Sequence, residues 1–209
     1  MRDQYCSSRY RIRAAAHSDL DTLAALLCGC YRQRQLAPVW DRATLTDPSR
    51  CRGLTPGDFL IVEHNGAPVG CLAVWDQRAF KQIVVHAYRP PLSWLRGVAN
   101  VLGPALGTPR LPAAGTTLNQ GWITHVALDP AHADATIPLV GAALVAARER
   151  GLDHLLMGLA PTHFARDALA RRFRALVYRS ALYLVHWPED RVSLPDFTQR
   201  PLHVETATL

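Results

Sequence analysis

The chain has 209 residues, 49% of them hydrophobic, with a formal net charge of +6 at pH 7. That length and apolar content suit one well-buried domain, and the lack of repeats or low-complexity tracts excludes a solenoid or an extended linker. No apolar run reaches the ~18 residues a membrane helix needs, and the opening MRDQYCSSRYRIR has no apolar signal core. A cytoplasmic protein with no membrane partner is expected.

Lys81 is the only lysine, so the positive charge is almost all arginine. The arginines spread along the whole chain without the aromatic interleaving of single-strand binders, so a bias towards arginine codons accounts for them and nucleic acid is not an expected partner. The densest group, Arg166, Arg171, Arg172, Arg174 and Arg179, could still help hold a phosphate. Cys6, Cys28, Cys30, Cys51 and Cys71 are odd in number and scattered, which points to reduced thiols rather than a disulfide framework. Cys28-Gly29-Cys30 lacks zinc-knuckle spacing, and no metal site is expected.

In chain order, residues 10–14 read as a short strand. Ser18 then caps a helix whose buried stripe is Leu20, Leu23, Leu26 and Leu27, with Asp19 and Asp21 in its first turn. Residues 31–56 are polar and irregular around Trp40, with a short helix near 42–45. A hairpin follows: 59–63 and 68–75 flank Asn65-Gly66, the pair suited to a type I′ turn.

Residues 76–120 separate this hairpin from the next strand. Phe80, Ile83, Val84, Ala87 and Tyr88 recur at helical spacing, which predicts a helix over 77–88 capped by Asp76 and broken by Pro90-Pro91. A second helix is predicted over 93–102, ending at Gly103-Pro104, and 104–120 is loop. Such a segment is either a lid beside a ligand cleft or a cover for exposed sheet.

The centre of the chain is a strand–helix–strand unit over 122–159. Residues 122–128 are β-branched and apolar, Asp129-Pro130 stops them, and Leu139, Ala142, Ala143, Ala146 and Ala147 mark a helix that Gly151 ends. Residues 154–159 form the second strand, parallel to the first, so a ligand site belongs beyond the carboxyl end of 122–128. Next come a short helix over 162–172 and a long strand over 173–187, with Tyr178, Ser180, Leu182 and Leu184 alternating. After Pro188 and Pro195, residues 200–209 read as a closing strand antiparallel to it. There His203, Glu205 and Ala207 face one way, and Val204, Thr206 and Thr208 the other.

Several phrases resemble the GNAT superfamily of N-acetyltransferases: Val126-Ala127-Leu128-Asp129-Pro130, the helix end Ala147-Arg148-Glu149-Arg150-Gly151, the hairpin FLIVEHNGAPVGCLAVW, and the opening strand before Ser-Asp-Leu-Asp. The resemblance covers most of the chain. It implies an α/β (α+β) fold in one domain over 1–209: a mixed central sheet flanked by helices, with a helical insertion at 76–120 between strands 3 and 4. It also implies acetyl-CoA or another acyl-CoA as co-substrate. Backbone of Val126, Ala127 and Leu128 would hold the pantetheine arm. Amides of Ala133, Asp134, Ala135, Thr136 and Ile137, at the helix start, would hold the pyrophosphate, with help from Arg166 or Arg171.

One departure stands out. The family loop usually reads Gln/Arg-x-x-Gly-x-Gly/Ala, whereas residues 131–138 contain neither glycine nor arginine, and Asp134 opposes a phosphate. Pro138 suits the first helical turn, with Thr136 or Asp134 near the N-cap. Fold and cofactor use are therefore separate questions.

Acyl transfer to an amine needs a base, an oxyanion donor and an acid for the leaving thiolate. His125, beside the expected opening of the sheet, is the first candidate base, and His163 the second. Tyr178 and Tyr183 compete for the acid role from opposite strand faces, with Tyr178 nearer the preceding helix. Asp76, Glu63 and Glu205 rank lower, as caps or solvated strand residues. The resemblance thus implies an N-acyltransferase acting on a small-molecule or peptide amine by direct attack, without a covalent enzyme intermediate; a homodimer is left open. The glycine-free loop motivates the alternative, a degenerate GNAT-fold module for interaction or ligand sensing without catalysis.

Overall fold

The computed structural model describes residues 9–106, 110–173, 175–183, 185, 187, 196–197 and 199–208. A five-stranded sheet runs in the order β1 (Arg11–Ala14), β2 (Phe59–His64), β3 (Ala67–Trp75), β4 (Gln120–Leu128), β5 (His154–Met157). Pairing is antiparallel from β1 to β4 and parallel between β4 and β5, giving the expected mixed sheet. The β2–β3 turn carries Asn65 at φ 51° and Gly66 at φ 80°, the pair of left-handed residues a type I′ turn requires.

Two cores sit on opposite faces of the sheet. On one, α1 (Leu20–Tyr31) buries Leu20, Leu23, Leu27 and Tyr31 against Phe59, Ile61 and Ala73, with α2 (Arg42–Thr46) and Trp40 alongside. On the other, α4 (Thr136–Glu149) buries Leu139, Ala143 and Ala147 against Val62, Leu72 and Val74, and α5 (Arg166–Arg172) adds Leu169. The continuous run Pro130–Glu149 is long and apolar enough to span a membrane, yet its apolar face is spent on this core. Gly151, at φ 68°, ends α4 as predicted. Beside it Arg150 bonds the Val74 carbonyl at 2.8 Å and pairs with Asp58 at 2.8 Å, tying the helix end to the hairpin.

The start of α1 differs from the expected Ser18 cap. A short 3-10 turn, His17–Asp19, precedes the helix, and the Asp19 carboxylate accepts the Ala16 amide at 2.7 Å. Arg13 bridges Asp19 and Glu63, both at 2.7 Å, and its hydrogen bonds help hold the Asp19 carboxyl down to about 2.

The insertion is helical in one place rather than two. α3 (Leu92–Leu106) runs through Gly103-Pro104, beyond the expected end. The helix predicted over 77–88 does not form. Val84 instead bridges Thr117, and Val85 and Leu118 exchange backbone bonds with Thr116 and Ile83 at 3.0 and 2.8 Å. Ile83, Val84 and Val85 are three β-branched residues in a row, and a nearby extended partner outweighs their helical spacing.

The two carboxyl-terminal strands are also corrected. Residues 175–183 carry no strand, and Leu176, Tyr178 and Tyr183 are exposed; Leu184 lies outside the described residues. Alternation makes a strand only where an edge accepts it. Residues 200–208 form no closing strand either. Leu202 bridges Gln35 in parallel, and the tail ends in the 3-10 turn Thr206–Thr208. The tail therefore docks after α1 instead of pairing with 175–183.

Candidate active site

β4 pairs with β5 only from Gln120–His154 to Ile123–Met157. Beyond that point β4 continues to Leu128 with β3 alone, so the two parallel strands part. On the β3 side Ala73 opposes Thr124 while Cys71 opposes Ala127, leaving β4 one residue in excess. The excess is a bulge at His125, whose φ of 51° is rare for a residue other than glycine. A bulge turns two neighbours to one face. Thr124 Oγ1 accordingly lies 3.0 Å from His125 Nδ1, and the imidazole packs on Trp40 and Phe59 at 4.3 and 5.3 Å between ring centres.

This placement corrects the first candidate base. The His125 side chain has no solvent exposure, and burial pulls its pKa down to about 3, so at neutral pH it is uncharged and sealed inside the core. What His125 offers is its backbone: its amide donates to Glu205 Oε2 at 2.9 Å. Glu205 is itself buried, and that burial raises its pKa against the opposing pull of Thr124 and the His125 and Ala207 amides. The tail reaches this point because His203 stacks on Tyr31 at 4.2 Å and Gln77 Nε2 donates to the Ala207 carbonyl at 2.9 Å. Gly158, just past β5, is needed there: a methyl group on it would overlap the Thr206 side chain. Sequence reasoning undervalued Glu205, since only its mixed alternation was visible and its partner lies in another element.

Between the parted strands a crevice crosses the sheet. Cys30 and Arg34 line it on the α1 side, and Val126, Leu128, Thr136 and Met157 towards α4. His163 and Phe164 complete it. Its free volume is about 20 Å³, enough for about one water. His163, whose Nδ1 accepts the Ala165 amide at 3.2 Å, stacks on Phe164 at 4.7 Å. Burial, then Arg34, lowers its pKa. The structure thus gathers Val126, Leu128, Thr136 and His163 at one place, while Ala127 is buried on the opposite core.

The predicted pyrophosphate loop is a different matter. Pro130–Ala135 is a 3-10 helix running into α4, and Asp129 caps it by accepting the Ala131 amide at 2.9 Å. The His132 and Thr136 amides bond to Asp129 and Ala133 carbonyls, and Ala135 is fully buried. Ile137 packs into the α4-side core. Asp134 accepts the Tyr10 hydroxyl at 2.5 Å and pairs with Arg9 at 2.9 Å, and these partners hold its carboxyl below the usual range. A fixed carboxylate and internally bonded amides do not make a diphosphate seat, so Ala133, Asp134, Ala135, Thr136 and Ile137 are not arranged for that role.

Tyr178 and Tyr183 are 74% and 82% exposed and do not approach the crevice, so neither is positioned to protonate a leaving thiolate. Arg166 pairs with adjacent Asp167 at 2.9 Å.

No protein-family model matches the chain, and no curated protein sequence matches it. Among solved structures, a predicted acetyltransferase of Clostridium acetobutylicum with acetyl-CoA superposes with a TM-score of 0.50 at 12% identity, over 88% of this chain and 99% of that one. A GCN5-related N-acetyltransferase from Ralstonia eutropha JMP134 gives 0.48 at 18% identity, over 84% and 98%. The ribosomal-protein-alanine N-acetyltransferase of Brucella melitensis biovar Abortus 2308 gives 0.47 at 17%, over 85% and 99%. The chain shares the fold of that Clostridium structure, a mixed five-stranded sheet between helices.

Proposed function

We propose that the protein is an N-acyltransferase that moves an acyl group, acetyl in the simplest case, from acyl-CoA to an amine. The reading rests on one observation. The β4–β5 pairing stops at Ile123–Met157, and two residues further along β4 the bulged His125 amide is bonded to the buried Glu205 carboxylate.

Glu205 takes the proton from the acceptor ammonium, and its raised pKa suits that exchange nearer neutrality than an exposed glutamate. The amine then attacks the thioester carbonyl carbon, the C–S bond breaks, and CoA leaves as a thiolate that takes up the proton shed by the new amide nitrogen. Direct attack is favoured because the two thiols that touch His125 are inert. Burial raises Cys51 to about 11 and Cys71 to about 12, which keeps both protonated. A second reading, a GNAT-fold module for interaction or ligand sensing, is favoured by Asp134 and the helical turn in place of a diphosphate loop.

Thermal unfolding with and without acetyl-CoA separates the two. At about a hundred times its dissociation constant, a bound ligand adds about 2.7 kcal/mol. An upward shift with acetyl-CoA supports the enzyme, and no shift with any acyl-CoA favours the module.

A further inference from the structure

A second cavity, of about 720 Å³, lies on the α1 side of the sheet. That size falls within the roughly 300–1,000 Å³ of small-molecule sites. Three segments far apart in sequence build it: the loop from Pro38 to Arg52, the end of β3 with the start of the insertion, and the tail at Ala207 and Thr208. Its walls hold the rings of Trp40, Trp75 and Phe80, and Arg50, Arg52 and Lys81 bring cations to it. No carboxylate is among its lining residues.

The aromatic and cationic groups are held in place. The Trp75 indole donates to the Arg52 carbonyl at 2.9 Å, and the Arg52 guanidinium sits 5.2 Å from the centre of the Phe80 ring. Two of the lining residues carry unmet hydrogen-bonding capacity. Trp40 Nε1, a donor, and Gln77 Oε1, an acceptor, are buried without partners among the described residues. The cavity wall is packed against the bulge, since the Trp40 ring lies 4.3 Å from that of His125 and Ala207 is two residues from Glu205.

We propose that this pocket binds a small aromatic amine that carries a carboxylate, and that such a compound is the acyl acceptor. The carboxylate meets Arg50, Arg52 and Lys81, the ring lies against Phe80 over the covered edges of Trp40 and Trp75, and the amine is turned to the Ala207 side, towards Glu205. The acceptor role rests on the acyltransferase reading; the binding preference does not.

Calorimetric titration without any acyl-CoA tests the pocket, using two matched pairs: 4-aminobenzoate against 4-aminobenzamide, and L-phenylalanine against L-phenylalaninamide. At least one carboxylate should bind about tenfold or more tighter than its amide, and the Arg50→Gln/Arg52→Gln double variant should erase that difference with an unchanged melting temperature. Equal binding of acid and amide, no binding of either acid, or an undiminished difference in the double variant overturns the proposal. Incubation with acetyl-CoA then separates the two readings. Binding without acetylation keeps the pocket and removes the acyltransferase; acetylation of the amides with kcat/KM equal to that of the acids removes the pocket instead.

Discussion

The Glu205 carboxylate accepts the backbone amide of His125 at 2.9 Å across 80 residues of sequence. That bond joins the tail to the bulge in β4, and both groups are buried. A carboxylate in such a place costs desolvation, which its hydrogen bonds offset in part.

Glu205→Gln keeps the shape and a hydrogen-bond acceptor but removes the base. Acetyl transfer should fall by about 10²-fold or more, with acetyl-CoA affinity little changed. In the native protein the rate should drop as pH falls through the raised pKa of Glu205. The glutamine variant should lack that acid limb, and a wild-type rate in it removes Glu205 from the mechanism.

His125 should matter to stability rather than to turnover. Its ring fills space between Trp40 and Phe59, and alanine there leaves a cavity at a left-handed position, costing about 2–4 kcal/mol in urea unfolding. Asparagine tolerates that backbone better, so His125→Asn should keep turnover within a few fold once folded. A large loss of kcat in a stable His125→Asn would restore the imidazole as base.

Acid should weaken the fold through two histidines. Burial lowers His125 to about 3 and His203 to about 4, from 6.5. Below 6.5 the unfolded chain takes up protons that the folded chain refuses. Stability from these groups is therefore whole above pH 6.5 and is lost as pH falls towards those values. Each contributes a slope of roughly 1.4 kcal/mol per pH unit within its window. Glu205 opposes them, because its raised pKa favours the folded state on its own acid side. Urea unfolding at pH 7 and pH 5 should show the net loss, smaller in His203→Gln.

Asp134 should work against diphosphate binding. Asp134→Asn removes an exposed carboxylate that repels a phosphate approaching the start of α4. Acyl-CoA affinity should rise about two- to fivefold, the scale of one exposed charge. Titration that shows weaker binding instead would assign Asp134 a positioning role.

Gly158 should report on the tail. Gly158→Ala forces a methyl into Thr206 and should cost about 1–3 kcal/mol, with faster hydrogen exchange at the His203 and Thr208 amides that hold the tail. Adding Thr206→Ala should recover most of that loss, since only the Thr206 Cβ, 2.9 Å from the added methyl, would remain too close. Additive losses in the double variant would mean that the two residues do not meet.

Local signals carried well wherever the chemistry was local. Asn65-Gly66 demanded its turn, Gly151 ended its helix, and Val126-Ala127-Leu128-Asp129-Pro130 marked the end of the central strand. The errors fell where an element depends on what lies beside it. Ile83-Val84-Val85 had the spacing of a helix but took an extended partner at 115–118, and Tyr178 had strand alternation but no edge to join.

By itself the sequence determined the strands β1 to β5 and the helices α1 and α4, because backbone propensity and side-chain period act over a few residues. It also determined that the loop after β4 lacks glycine. Only the tertiary structure decided that β4 bulges at His125, that Glu205 bonds the amide at that bulge, and that Asp134 is fastened to Tyr10 and Arg9. Those contacts join residues some 80 to 125 positions apart, where burial and pairing set protonation and access, and no local pattern encodes either.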